Sequence, residues 1–574
     1  MVTVLAFFSL GAFLRLFLFP DQVLLNDEWH PLYYVSDKSF SFVFTHVSMG
    51  ANSIPMNLYC WFLLKTTGLS EVLLRLPSLI AGMAGLLIFP LFLRRILNRR
   101  VAIIFAFLCA ISPSLVYYSR VFRPYSMIAF LSFLSILSLY LWVVGGRARY
   151  ALLYIVTGVL TVYLHIYAVV IILAPLCFIF LARLNDKWSH VFDAEEKQVI
   201  GIPALVKAAA VIALLLGVLY VPAWMDCPLW RGVLANGSIS PRTVINYLCL
   251  LSGTANKPIV CVFIGLLFCG VFCLLRKKPV FGGILFSVII FYVLLLGLSR
   301  PAGIHAAIVA ARYSISVFPV CFVFVACGTD HVLSFVPLDG VGARQRFFRF
   351  SGDVPAAVFL LILFFTGPLK DLYVEPNNFT NHSAFQESYE PLSWDTSFAC
   401  EVYPMLRLDK RRIPPFYSLI SGEPDGTSTI IEYPMFIGDY FNLYYYYQHF
   451  HGKKILIGYY PCFILEKGLK RTFVHGDNIT CDALSAIQDT SKLKFRNMID
   501  MRDIEAIRAS RAGYIILHKN PMHEIFPDAP AHEYDLLISI SLGRAYLKHF
   551  GPPFFEDKDL IVFKLLPTKN LHRE

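Results

Sequence analysis

What most limits this chain is a succession of about eleven apolar runs, each close to the length of a membrane-spanning helix. They cover residues 2–19, 71–92, 101–118, 124–144, 150–165, 166–181, 206–221, 258–275, 281–298, 313–336 and 354–365. Hydrocarbon offers no water to an exposed backbone, so runs of this kind read as helices and the chain as a multi-pass α-helical membrane protein. Basic residues gather on alternate turns: Arg94, Arg95, Arg99 and Arg100; Arg147 and Arg149; Arg183 and Lys187; Arg276, Lys277 and Lys278; Arg344, Arg346 and Arg349. The positive-inside rule then places the N-terminus in the cytoplasm, and an odd number of spans leaves the C-terminus outside.

Composition agrees with that solvent. Hydrophobic residues are 57% and charged residues 16% of the chain, where a soluble domain carries about 25% charge. The net charge of +11 sits in the short turns between apolar runs, which excludes a nucleic-acid partner and makes lipid the expected one. Of the 13 cysteines, those outside the apolar runs are Cys227, Cys400, Cys462 and Cys481, where one disulfide could form. The others, Cys261, Cys269 and Cys273 among them, sit in apolar segments, and no C-x-x-C pair marks a zinc ribbon or a redox motif. Residues 2–19 lack a basic lead-in and a cleavage site, so they are expected to be a retained first span rather than a signal peptide. No repeat of a solenoid or transporter type is apparent. Sequons at Asn236, Asn378, Asn381 and Asn478 all fall on the expected outer side.

Two units follow: a membrane domain over residues 1–372, with a first outer loop at 20–70, and an extracytoplasmic domain over 373–574. In the second, Tyr, His, Asp and Glu become frequent. Short β-rich runs at 429–433 and 513–518 alternate with helical candidates at 439–451 and 501–511, the pattern of an α/β domain. The aromatic stretch 440–450 could stack on sugars, although packing within the domain core is the more ordinary use of such residues.

Chemistry is expected where charge lies at the outer surface. Asp27 and Glu28 follow the first span. Adjacent acids there can take a proton from a hydroxyl or hold a divalent cation; they can equally cap a helix. Arg120 and Arg123, followed by Tyr125, occupy a short outer turn against the positive-inside trend, and Arg312 with Tyr313 repeats the anomaly. Arginines so placed need either an anionic partner such as phosphate or lipid headgroups to snorkel towards. Arg15 lies late in the first span, and His165 sits at the tip of a hairpin between Tyr163 and Tyr167.

The order of these features, with SEVLLRLPSLIAGMAGLLIFPLFLRR, ISPSLVYYSRVFRPYS, YLHIYAVV and ARYSISVFPV, resembles the GT-C superfold of polyprenyl-phosphate-sugar-dependent glycosyltransferases over residues 14–319. Within it the chain is similar to bacterial protein O-mannosyltransferases and to the lipid A aminoarabinose and lipopolysaccharide-core transferases. The resemblance implies a bacterial inner-membrane enzyme that moves a sugar from a polyprenyl-phosphate donor to a glycan, lipid or protein acceptor by single inverting displacement. It implies Asp27 as the acid that activates the acceptor or organises the site, Glu28 as its partner, and Arg120, Arg123 and Arg312 as holders of the donor phosphate, with Tyr125 kept beside them. Arg15, His165 and Tyr313 would add substrate contacts, and any metal, a divalent one, would fall to Asp27 and Glu28. The sequence departs from the pattern in two places. Asn52-Ser53-Ile54-Pro55 stands where relatives carry His-Pro-Pro or Glu-Lys-Pro, and Phe122 stands where an acid separates the arginines. Two other readings are a non-catalytic GT-C-like scaffold and a lipid-linked glycan transporter; the latter needs charge in the middle of its spans, which is almost absent here.

Overall fold

A computed structural model describes residues 2–184 (except 18, 23, 25, 36–37, 48–51 and 69), 200–226, 237–334 (except 255, 302–303 and 306), 354–369 (except 368), 413–423, 429–433, parts of 444–473, 504–519 (except 510–511) and 533–565. Each of the eleven apolar runs carries a helix. Among the described residues, seven helical segments are long and apolar enough to cross a membrane. They contain α5 (Glu71–Ile96), α8 (Tyr125–Gly145), α10 (Val170–Leu184), α11 (Ile202–Tyr220), α13 (Lys257–Lys277), α14 (Pro279–Ser299) and α16 (Val317–Ser334). The other four runs hold shorter helices: α1 (Val2–Leu16), α6 (Arg99–Ile111), α9 (Ala148–Leu164) and α17 (Val354–Thr366). At 1.5 Å per residue these measure about 20–26 Å, less than the hydrocarbon thickness of about 30 Å.

Two expected spans are broken, and the reasons are local. The run 101–118 divides into α6 and α7 (Pro113–Tyr118), because Pro113 cannot extend a helix while Ser112 caps the next one through the Leu115 N–H. The run beginning at 313 starts earlier, in α15 (Ala307–Tyr313), and resumes at Val317. Arg312 therefore ends a short helix rather than entering a long one. The segment expected as the first outer loop is built of α2 (Asn26–Val35), α3 (Phe40–Thr45) and α4 (Ile54–Thr66). In the basic turn between α5 and α6, Asn98 donates to Asp330 at 3.0 Å and Arg100 pairs with Asp330 at 3.4 Å, so this turn meets the last part of α16.

After α18 (Pro415–Ser421) the chain forms a sheet of β1 (Thr429–Tyr433), β2 (Lys454–Ile457), β3 (Phe463–Leu465), β4 (Arg471–Phe473), β5 (Ala512–His518), β6 (Phe555–Glu556) and β7 (Leu560–Lys564), with α12 (Pro241–Ser252) left behind in the bundle. The strand order is β4-β3-β2-β1-β5-β7-β6; β1 is parallel to β2 and β5, and the remaining pairs are antiparallel. With α19 (Ile504–Ala509) before β5 and α20 (Glu533–Phe550) between β5 and β6, this is the expected α/β unit. Leu542 and Tyr546 of α20 join Ile515, Leu517, Ile561 and Phe563 in its core. The expected boundary near 372 and Cys227, Cys400, Cys462 and Cys481 lie outside the described residues. Most of 439–451 does too, but Tyr444, Tyr447 and His451, at helical spacing, are buried as core residues are.

Candidate functional site

Glu28, in the first turn of α2, is wholly buried and engaged. Its Oε1 accepts from Arg75 Nε at 2.8 Å and from the Phe122 N–H at 2.6 Å, and its Oε2 accepts from the second arm of Arg75 at 2.7 Å. Arg75 also donates to the Gln22 carbonyl at 2.6 Å. A two-pronged guanidinium–carboxylate pair fixes both planes at once, so Glu28 ties the first loop, α5 and the Arg120–Arg123 turn together. With three N–H donors on its carboxylate, Glu28 is held by the protein as a positioning group next to Asp27 in sequence. The Asp27 side chain lies outside the described residues; its backbone is the second residue of α2.

Arg120 is likewise held by protein acceptors. It is fully buried, donating to Gln22 Oε1 at 3.1 Å and to the carbonyls of Leu14 and Phe17 at 3.1 and 2.9 Å. Gln22 in turn donates to the Arg120 carbonyl. The guanidinium thus closes the C-terminal end of α1, where helical carbonyls lack partners and a cation is favoured. Arg15 acts similarly lower in the bundle, bonding the carbonyls of Gly11, Cys109 and Ala110. It also lines a cavity of about 30 Å³, room for a water molecule and not for a sugar. Both arginines hold α1 in place.

A different group of residues converges at the same end. Ser78 donates to the Arg123 carbonyl and Ser126 donates to the Ser78 carbonyl, each at 2.8 Å, fixing the backbone that presents Arg123. His165 stands in the turn after α9, outside both neighbouring apolar helices, and is buried. Its ring centroid lies 5.4 Å from Tyr313, 5.5 Å from Tyr167 and 6.2 Å from Tyr125, and Tyr167 stacks on Tyr313 at 5.1 Å. The Arg312 guanidinium lies 5.5 Å from the Tyr313 ring centroid. Burial first, then the positive charges of Arg312 and Arg123, lower the His165 pKa to about 3. Two arginines from separate elements thus flank one neutral imidazole. Its Nδ1 receives the Tyr167 N–H, so the proton belongs on Nε2, and among the described residues buried Nε2 has no hydrogen-bond partner. The arrangement is a concentration of donors and positive charge, suited to an anion.

The sequence placed Arg123, Tyr125, His165, Arg312 and Tyr313 separately, and the fold brings them together. Tyr163 faces away, packing with Val47, Ile54 and Ala223. Asn52-Ser53-Ile54-Pro55 forms the start of α4, with Ser53 and Ile54 buried. Sequence reading missed the roles of Arg75 and Gln22. The signal for Arg75 was present, since a lone guanidinium in an apolar helix demands a carboxylate, and Glu28 was already in view. It also missed a buried trio in the sheet domain: His518 Nε2 lies 2.7 Å from Glu432, and the Tyr417 hydroxyl donates to Glu432 at 3.0 Å. Glu432 and His518 come from the carboxyl ends of adjacent parallel strands.

No protein-family model matches the sequence, and no curated protein is similar to it in sequence. Among solved structures, the chain is similar to ArnT from Cupriavidus metallidurans in the apo state, at 10% identity over 98% of each chain and a TM-score of 0.51. The chain has the GT-C fold. A second similarity is to the archaeal oligosaccharyltransferase AglB from Archaeoglobus fulgidus in complex with an inhibitory peptide and a dolichol-phosphate. It has 12% identity over 94% of this chain and 71% of that one, with a TM-score of 0.48. In this chain the His165 cluster, the Glu28–Arg75 pair and the helices of residues 26–66 share the end of the bundle opposite the Arg94–Arg100 turn.

Proposed function

We propose that this chain is an integral membrane glycosyltransferase that moves a sugar from a polyprenyl-phosphate-linked donor to an acceptor outside the cytoplasm: a lipid-linked glycan, a lipopolysaccharide or a protein. Residues 1–372 carry the reaction and residues 373–574 form the appended domain. The observation that carries this reading is the gathering of His165, Tyr125, Tyr167, Tyr313 and Arg312, with Arg123 in electrostatic reach, at one end of the bundle. Cleavage of a polyprenyl-phosphate sugar leaves a phosphate anion at the membrane surface, and donors fixed around it lower the cost of the developing charge. An acceptor hydroxyl attacks the anomeric carbon from the opposite face while the bond to the phosphate oxygen breaks. Its proton passes to a carboxylate, for which Asp27 is the residue assigned. The outcome is inversion, with no covalent sugar–enzyme intermediate. Glu28, Arg75 and Arg120 position these groups.

Binding of a polyprenyl phosphate to the protein in nanodiscs, together with transfer of a radiolabelled sugar from it, tests the reading. Arg123→Ala and Arg312→Ala are each expected to weaken binding and slow transfer by about 10²–10³-fold, the scale for loss of one donor to a developing oxyanion. Lys at either position rescues partly, since a point charge cannot reproduce the guanidinium fork. Asp27→Asn is expected to abolish transfer with expression and donor binding intact. Undiminished affinity in both Ala variants would overturn the assignment. Intact binding with no transfer in the wild type under any acceptor would favour the scaffold reading, to which the engaged Glu28 and the uncharged 52–55 stretch also belong.

A further inference from the structure

The other end of the bundle holds a cluster the proposed transfer does not use. α13 and α16 cross closely: a Cβ on Gly270 would lie 1.7 Å from the Phe324 carbonyl oxygen, and one on Gly328 would lie 2.0 Å from that of Leu266. Each glycine follows a cysteine, so the approach that only glycine allows brings two helix faces together. On α13 the face carries Cys269 and Cys273, four residues apart; on α16 it carries Cys327 and His331, again four apart. The sulfurs of Cys269 and Cys273 and a ring nitrogen of His331 all lie within 4.8 Å of one another. A tetrahedron with Zn–S of about 2.3 Å and Zn–N of about 2.0 Å has edges of about 3.5–3.8 Å, so side-chain rotation alone closes the set.

We propose that Cys269, Cys273 and His331 bind a Zn²⁺ ion that clamps α13 to α16, with Cys327 completing a tetrahedral Cys₃His set. Cys327 stands one helical turn before His331 and within electrostatic reach of Cys273. Two or three thiolates and one imidazole are the donors zinc prefers over harder or octahedral cations. Each thiol that ligates releases its proton to solvent and takes the metal in its place. Three thiolates and one Zn²⁺ leave a net charge of −1, and Arg276 and Lys277, in reach of Cys273, offset it. Access is available, because His331 and Cys269 are only partly buried while Cys273 is buried. Asp330, the neighbouring acid, is engaged by Arg100 and Asn98 instead.

The test uses the full chain in nanodiscs, reduced, stripped with chelator and titrated with Zn²⁺ alone. One zinc per chain that survives desalting is expected, and Co²⁺ should give thiolate charge-transfer absorption with tetrahedral d–d bands. The Cys269→Ser/Cys273→Ser double variant and His331→Ala should each lose affinity by at least tenfold, and Cys327→Ser should also weaken binding. Cys261→Ser, an exposed cysteine on the same helix, should bind as the wild type does. Less than a tenth of an equivalent of zinc on the wild type, or a preference for Cu⁺ that excludes zinc, would overturn the proposal. So would wild-type affinity in the double variant. If a variant fails to insert, the wild-type stoichiometry and cobalt spectrum still decide. None of these readouts involves sugar transfer, so failure here and failure of the transferase reading are separate results.

Discussion

Arg75 is a fully buried guanidinium in an apolar helix, and its partner lies 47 residues away in sequence. Burying two charges is costly, and the pair recovers that cost through three hydrogen bonds on the carboxylate and a fourth to the Gln22 carbonyl. Removing one partner leaves the other charge stranded. Arg75→Met is therefore expected to destabilise the folded protein by about 3–5 kcal/mol, while Arg75→Met combined with Glu28→Gln should recover a large part of the loss. Thermal unfolding in a fixed detergent, run as a double-mutant cycle, measures this; additive single effects would show that the two side chains do not interact. At this scale the sequence was only half legible. It exposed the anomalous charges, because an ionised group near a membrane is conspicuous by itself. It did not divide them into Arg15 and Arg120, which like Arg75 spend donors on protein acceptors, and Arg123 and Arg312, whose charges bear on His165. That division depends on which turn each side chain faces across the bundle, and no spacing along the chain encodes it.

Among the elements, hydrophobic run length was the dependable signal. All eleven runs form helices, since a span must satisfy its own backbone wherever it packs. The interruptions at Ser112–Pro113 and at 314–316 fall inside runs that stay apolar on average, so run length alone does not show them. Contacts between helices were not legible at all. The glycines at 270 and 328 looked like ordinary small residues, yet their place against carbonyl oxygens sets the distance between α13 and α16. Gly328→Ala is expected to push the helices apart and cost about 1–3 kcal/mol, as overpacking does. Gly265, on α13 with open space around it, is the control, and its replacement by Ala should be neutral or slightly stabilising. Chemical cross-linking between cysteines placed on the two helices would register the separation. Equal cross-linking in both variants would mean that the close approach is not needed.

For the molecule as a whole, charge distribution and contact geometry tell the same story. The Arg94–Arg100 turn meets Asp330, near the end of α16, while the donor cluster collects at the other end. A reporter fused after Tyr373 is expected to be active outside the cytoplasm, and one fused after Arg276 should not be. Reversal of the two would invert the molecule and move the proposed phosphate site to the cytoplasmic face. The α/β character of the second unit was readable from its strands, because β1 and β5 are short apolar runs bounded by polar residues. Its strand order was not, since both parallel neighbours of β1 are reached by long crossovers.

The three-way grip on Glu28 also has a bearing on biosynthesis. A ribosome delivers the chain from its N-terminus, so Glu28 emerges long before Arg75, and Phe122 emerges later still, 94 residues after Glu28. Until α5 has been inserted the carboxylate lacks Arg75, and until the turn before α8 is threaded it lacks the Phe122 N–H. α1 waits as well, because Arg120 closes its end. The grip on Glu28 and on the end of α1 is therefore complete only when residues 120–122 arrive.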